Sequence, residues 1–131
     1  MRIGEVYLME FHGTGSEQHG IRPGLVFQNN VGNRFSPNII ALPFTGAMKK
    51  LTQPTHVLIR AGLGGLERDS VVLCENPERM SKMRVGRYLA TLDYADMARV
   101  AEANILASGA IAFLDPSSLL RIWENASRLI Q

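Results

Sequence analysis

The side chains best suited to chemistry in this sequence lie in three polar segments set between apolar runs. The first is Gly13-Thr14-Gly15-Ser16-Glu17-Gln18-His19-Gly20-Ile21-Arg22-Pro23. Its glycines let backbone approach a ligand closely, Ser16 and Gln18 can hydrogen-bond a base edge or a sugar, and Arg22 can grip a phosphate with two parallel N–H bonds. The same composition also suits a hairpin loop with a solvated arginine. The second is Thr45, after an apolar run and before Gly46. A hydroxyl there either donates to a developing oxyanion or serves as a turn or cap residue. The third is Arg79, Lys82, Arg84 and Arg87, cations with no acid between them. They read either as a phosphate track or as a solvated face.

Other residues that could carry chemistry have weaker patterns. His12 and His19 share one segment and His56 lies apart. Imidazole titrates near neutrality, so a pair of them would suit acid–base transfer at a phosphodiester, but the spacing fixes no geometry. No HxxxH motif or His/Asp/Glu cluster at ligand spacing is present, and no metal or cofactor is expected. Cys74 sits in an apolar run, as a core residue does. Gly62-Leu63-Gly64-Gly65-Leu66 lacks the lysine and the strand–turn–helix setting of a phosphate loop and reads as a turn.

The elements that must position these residues change character along the chain. Strand formers concentrate at 6–11, 24–28, 38–42, 56–60 and 70–74, with a further short strand at 87–92. Gly- and Pro-bearing turns at 13–20, 31–37 and 61–65 separate them. Short strands joined this way favour a small barrel over a parallel sheet. Asp93 then reads as an N-cap before Met97, Val100, Ala101 and Ile105, with Gly109 ending or bending that helix. Asp115-Pro116 starts a second helix with an apolar stripe of Leu119, Leu120, Ile122, Trp123, Ala126, Leu129 and Ile130. The expected fold is mainly β with α: a small barrel followed by C-terminal helices.

Composition agrees with one domain. The chain has 131 residues, of which 46% are hydrophobic and 20% charged, and 14 basic against 12 acidic side chains give +2. Collagen-like, disordered and coiled-coil readings fail on these values. The longest apolar stretch, near 110–114, falls well short of the roughly 20 residues of a membrane span, and no export signal pattern appears. A single cysteine excludes an internal disulfide and a multi-thiolate metal site. The expectation is a cytoplasmic domain with no membrane association. Residues 1–60 carry six basic and three acidic side chains, against eight and nine in 61–131, so a polyanion is better sought on the N-terminal half.

The order of the motifs is more specific than any one of them. Gly15-Ser16-Glu17-Gln18-His19-Gly20-Ile21-Arg22-Pro23, Leu25-Val26-Phe27-Gln28-Asn29 and Gly32-Asn33-Arg34-Phe35-Ser36-Pro37 follow one another. Pro54-Thr55-His56-Val57, Gly65-Leu66-Glu67-Arg68-Asp69-Ser70-Val71 and Leu92-Asp93 come after them. From about residue 3 to residue 113 this series resembles the MazF/PemK-like toxins of type II toxin–antitoxin systems.

The resemblance implies an SH3-like barrel with appended helices over residues 1–114, working as a homodimer, with residues 115–131 as a helical extension packed on the same domain. It implies cleavage of single-stranded RNA without a metal ion: the 2′-hydroxyl attacks the adjacent phosphate, leaving 2′,3′-cyclic phosphate and 5′-hydroxyl ends. The family's catalytic arginine falls on Arg22 and its catalytic threonine on Thr45. The loop closing over RNA falls on Ser16, Glu17 and Gln18, and His19, Asn29, Asn76 and Arg79 are the other expected RNA contacts. A cognate antitoxin is the implied protein partner. Two departures stand out: Gly46 where serine commonly follows the threonine, and Glu78 where an arginine is common. Other functions open to the fold are inhibition of DNA gyrase through protein contacts and RNA binding without cleavage.

Overall fold

Strand-forming residues at both ends of the first segment bring β1 (Glu5–His12) against β2 (His19–Val26), antiparallel from Val6 opposite Leu25 to His12 opposite His19. The computed structural model describes residues 1–13, 19–46, 53–62, 66–127 and 129. Among them follow α1 (Asn30–Phe35), β3 (Asn38–Thr45), β4 (His56–Ile59), β5 (Ser70–Leu73), β6 (Glu78–Ser81), a 3-10 turn at Lys82–Arg84, and β7 (Val85–Thr91). Helix α2 (Tyr94–Ser108), a 3-10 turn at Ala110–Phe113 and α3 (Pro116–Ala126) complete the chain.

The strands form one seven-stranded antiparallel sheet in the order β4-β5-β3-β2-β1-β7, with β6 also on β3. Mainly β with C-terminal helices is therefore correct, but the expected barrel is an open sheet. Strand β3 carries β6 along residues 38–41 and β5 at Phe44 and Thr45, so the sheet branches at β3 instead of running round to close. Its outer strands, β4 and β7, lie at opposite ends of the order.

Side chains alternate across the sheet, and both faces are covered. Val6, Leu25, Leu42, Phe44, Val72 and Leu89 form one core with Val100 and Ala103 of α2. Met9, Phe11, Val26, Ile39, Ala41 and Met80 form a second core on the other face. Two buried faces explain why β2 and β3 read as continuous apolar runs. A Cβ on Gly24 would lie 2.5 Å from the Met9 sulfur and 2.9 Å from the Phe11 ring. Only glycine lets that core close at this point.

Three elements differ from the expectation. Strand β2 begins at His19, five residues before the apolar run at 24, because polar residues there still pair with β1. The stretch read as a turn at 31–37 holds helix α1, which the weak helix formers of Asn30-Val31-Gly32-Asn33 do not announce. Asn29 caps it by accepting the Gly32 N–H at 2.9 Å. The buried Asn33 amide donates to the Gln28 carbonyl at 2.7 Å and to Asn30 Oδ1 at 3.1 Å. Strand β6 is too short and polar to show a period, and its partner β3 is remote in sequence. Both C-terminal helices start where expected, at Asp93 and Asp115, and Gly109 ends α2 at a φ of 76°. No described residue of α3 is buried.

Candidate active site

The site grows from the register of β2 on β3. Their ladder pairs Val26 with Ala41, Leu25 with Leu42 and Gly24 with Pro43. Two residues beyond the last pair lie Arg22 on β2 and Thr45 on β3. Pro23 lies just past the last β2–β3 pair, opposite Leu8 of β1. Pairing of two apolar strands thus brings two residues far apart in sequence onto neighbouring strands.

Backbone carbonyls orient the arginine. Arg22 Nε and Nη2 both donate to the His19 carbonyl, at 3.1 and 2.9 Å, and Nη1 donates to the Phe44 carbonyl at 3.4 Å. Phe44 is buried in the first core and immediately precedes Thr45. The cation is therefore held between the start of β2 and the end of β3 by backbone acceptors from both. Arg22 and Thr45 are both half-buried. Thr45 pairs with Val71 of β5, so its strand is supported from the opposite edge as well. A guanidinium held at the end of the strand that carries Thr45 suits an anionic group whose charge grows during reaction.

The other expected residues are dispersed. Ser16, Glu17 and Gln18 lie outside the described residues. His19 is next to the pair, being exposed and supplying the carbonyl that holds Arg22. Asn29 is at the opposite end of β2, with its side chain capping α1. Asn76 lies in the turn after β5, where its N–H donates to the Leu73 carbonyl at 3.2 Å. Arg79 is exposed on β6 opposite Ile40, five residues along β3 from Thr45, or roughly 17 Å at strand rise.

The basic run is not one face. Lys82 Nζ donates to the Asn33 carbonyl at 2.5 Å, and Arg84 binds the Glu10 carbonyl and the Glu78 carboxylate. Arg79 and Arg87 remain exposed. The role of Arg84 could not be read from sequence, because its partners Glu10 and Glu78 meet it only through folding.

His12 and His19 are opposite each other across β1 and β2, whereas His56 lies on β4 with its Nε2 2.5 Å from Glu75 Oε2. The three histidines therefore form no common cluster. Cys74 is fully buried, and burial first, then the Glu75 charge, pushes its thiol up to about 12. That favours a core residue over a nucleophile. No helix among the described residues is long and apolar enough to cross a membrane.

Comparisons with known proteins place the chain in a family. Residues 2–106 match the family described as PemK-like, MazF-like toxin of type II toxin-antitoxin system. The chain is 42% identical over 114 residues to Endoribonuclease EndoA of Bacillus subtilis, covering 86% of this chain and 98% of that protein. A crystal structure of MazF from Deinococcus radiodurans superposes with a TM-score of 0.72 at 26% identity, covering 83% of this chain and 96% of the other. A mycobacterial endoribonuclease in complex with its cognate antitoxin superposes at 0.68 and 28% identity, with 83% and 95% coverage. The family match spans both strands that carry Arg22 and Thr45, and the chain belongs to the PemK-like, MazF-like toxins of type II toxin–antitoxin systems.

Proposed function

We propose that this toxin endoribonuclease cleaves single-stranded RNA at the Arg22–Thr45 pair, without a metal ion. The observation that carries the reading is the Arg22 Nη1 bond to the Phe44 carbonyl, which sets the guanidinium beside the residue preceding Thr45. The 2′-hydroxyl oxygen bonds to phosphorus as the bond to the 5′ oxygen breaks. The 2′ proton passes to solvent and the 5′ oxygen takes a proton from solvent as it leaves, giving a 2′,3′-cyclic phosphate and a 5′-hydroxyl. Negative charge builds on the non-bridging oxygens meanwhile. Arg22 binds that charge and hydrogen-bonds the leaving oxygen, and the Thr45 hydroxyl stabilises the oxyanion. A guanidinium stays protonated, so Arg22 acts as a donor, not as a base.

His19, next to the pair, contacts the RNA, and Ser16, Glu17 and Gln18 cover it. Asn29, Asn76 and Arg79 extend the RNA contact away from the scissile phosphate. The toxin works in the cytoplasm as a homodimer and is neutralised by a cognate antitoxin, a reading supported by the antitoxin complex of the mycobacterial endoribonuclease. At Gly46 a Cβ would meet no atom within 4 Å, so this departure from the family's serine removes a hydroxyl without closing space.

Digestion of a long RNA in excess EDTA, with both ends of the fragments mapped, tests the reading. Expected are 5′-hydroxyl ends, cyclic-phosphate partners and a preferred sequence. Arg22→Ala should lower kcat by about 10²–10³-fold, as removal of one oxyanion donor does elsewhere, with the fold retained. Wild-type cleavage by Arg22→Ala, or RNA left intact by the wild-type protein, overturns it.

A further inference from the structure

We infer that Glu78 and Arg84 form a clip that positions the Arg22 guanidinium. The Arg84 Nη2 group pairs with Glu78 Oε2, and both side chains are mostly shielded, at 19% and 25% exposure. Arg84 also donates from Nε and Nη2 to the Glu10 carbonyl, at 2.9 and 2.7 Å. The Glu78 carboxylate accepts the His12 N–H at 3.3–3.4 Å. One ion pair from β6 and the following 3-10 turn therefore grips both Glu10 and His12 at the end of β1.

That end of β1 leads directly to the site. His12 is the β1 residue opposite His19 at the last position of the β1–β2 ladder. The His19 carbonyl is the acceptor shared by Arg22 Nε and Nη2. A continuous path of described residues thus runs from Glu78 through His12 and His19 to Arg22. Charge-assisted bonds in a partly shielded place are the stiffer kind, whereas a ladder end held only by its last pair frays. The clip holds the strand ends, and the strand ends hold the cation. Glu78 stands where the resembling family commonly carries arginine, a reversal of charge at this position.

Neither residue touches the reacting phosphate, so both are positioning residues, and the inference rests on Arg22 acting at that phosphate. A misplacement of about 1 Å can cost around a hundredfold in rate while leaving binding little changed. Glu78→Ala removes both the ion pair and the acceptor for His12; Glu78→Gln keeps an acceptor and loses the charge. The full-length variants are compared by circular dichroism, by kcat and KM on a defined RNA, and by solvent exchange of the Arg22 Nε–H in NMR spectra.

For Glu78→Ala the expectation is a native-like fold, Arg22 Nε–H exchange accelerated about tenfold or more, and kcat lowered about 10–100-fold with KM within about twofold. Glu78→Gln should lie between wild type and Ala on both readouts, and it decides the matter if Ala does not fold. Unchanged Arg22 exchange in a folded variant overturns the inference, and so does faster exchange with unchanged kcat. Wild-type cleavage by Arg22→Ala instead overturns the catalytic reading of Arg22, and the NMR readout still decides whether the clip holds its side chain.

Discussion

Helices α2 and α3 start on the same signal, an aspartate whose carboxylate accepts the N–H three residues on at 2.8 Å, yet only α2 reaches the core. Val100 and Ala103 of α2 are buried with the sheet, and Met97 packs beside them. Polar bonds lock that position: Asn104 Nδ2 donates to the Cys74 carbonyl at 3.3 Å, and Arg99 donates to the Leu58 carbonyl at 3.1 Å. In α3 the apolar stripe is open, with Trp123 69% exposed and Leu120 59% exposed. The more sharply segregated stripe belongs to the uncovered helix. Amphipathic spacing says that a helix has a side to bury, but not against what. Docking of α2 depends on complementary features of the sheet, namely its apolar face under Val100 and Ala103 and the Cys74 and Leu58 carbonyls that receive Asn104 and Arg99.

The contrast is sharpest for a charge placed on each stripe. Val100→Asp puts a carboxylate in a fully buried position and should cost at least about 3 kcal/mol in urea unfolding, or prevent folding. Leu120→Asp should change the same quantity by no more than about 0.5 kcal/mol. A cost for Leu120→Asp comparable to that for Val100→Asp would mean that α3 is covered in solution.

A smaller difference is expected at the caps. Asp93→Ala should lower global stability by about 1 kcal/mol, because α2 folds with the sheet. Asp115→Ala should leave the global midpoint unchanged and unwind only the first turn of α3, seen as faster amide exchange at Ser118. Equal losses from the two variants would show that the helices belong to one cooperative unit.

The smallest expected effect is that of pH on α3. Hydrogen bonds from the Ser117 hydroxyl, then the Ser118 N–H and hydroxyl, hold the Asp115 carboxyl below the usual carboxylate range. Its stabilising contribution is therefore present above the ordinary aspartate value of about 3.9 and is lost as pH falls through the lowered folded value. NMR signals of the first turn of α3 should shift toward coil values over that acidic window, while those around Val100 stay in place. Signals at both places moving together would contradict local titration at Asp115.

Arg22 and Thr45 were legible as candidates because residue type, flanking turns and motif order all pointed to them. The clip on β1 was not, since Glu10 and His12 come from one segment and Glu78 and Arg84 from another far along the chain, and a run of like charges gives no sign of which members are tied to carbonyls. Helix α1 was hidden for another reason. Its stability comes from the Asn29 cap and the buried Asn30–Asn33–Gln28 hydrogen bonds, not from helix propensity.

By itself the sequence determined local choices: apolar runs set the main strands, Asp93 and Asp115 started helices, Gly109 ended one, and the series of motifs placed the chain beside a toxin family. These depend on interactions within a few residues or on residue order, both present in the linear text. Tertiary structure decided that the sheet stays open at β3, that Arg22 reaches the Phe44 carbonyl next to Thr45, and that two cations of the basic run, Lys82 and Arg84, serve the fold. It also decided that one of two similarly capped helices is buried and the other is not. Each of these outcomes depends on what surface lies opposite a residue once distant strands have paired, and no local pattern contains that information.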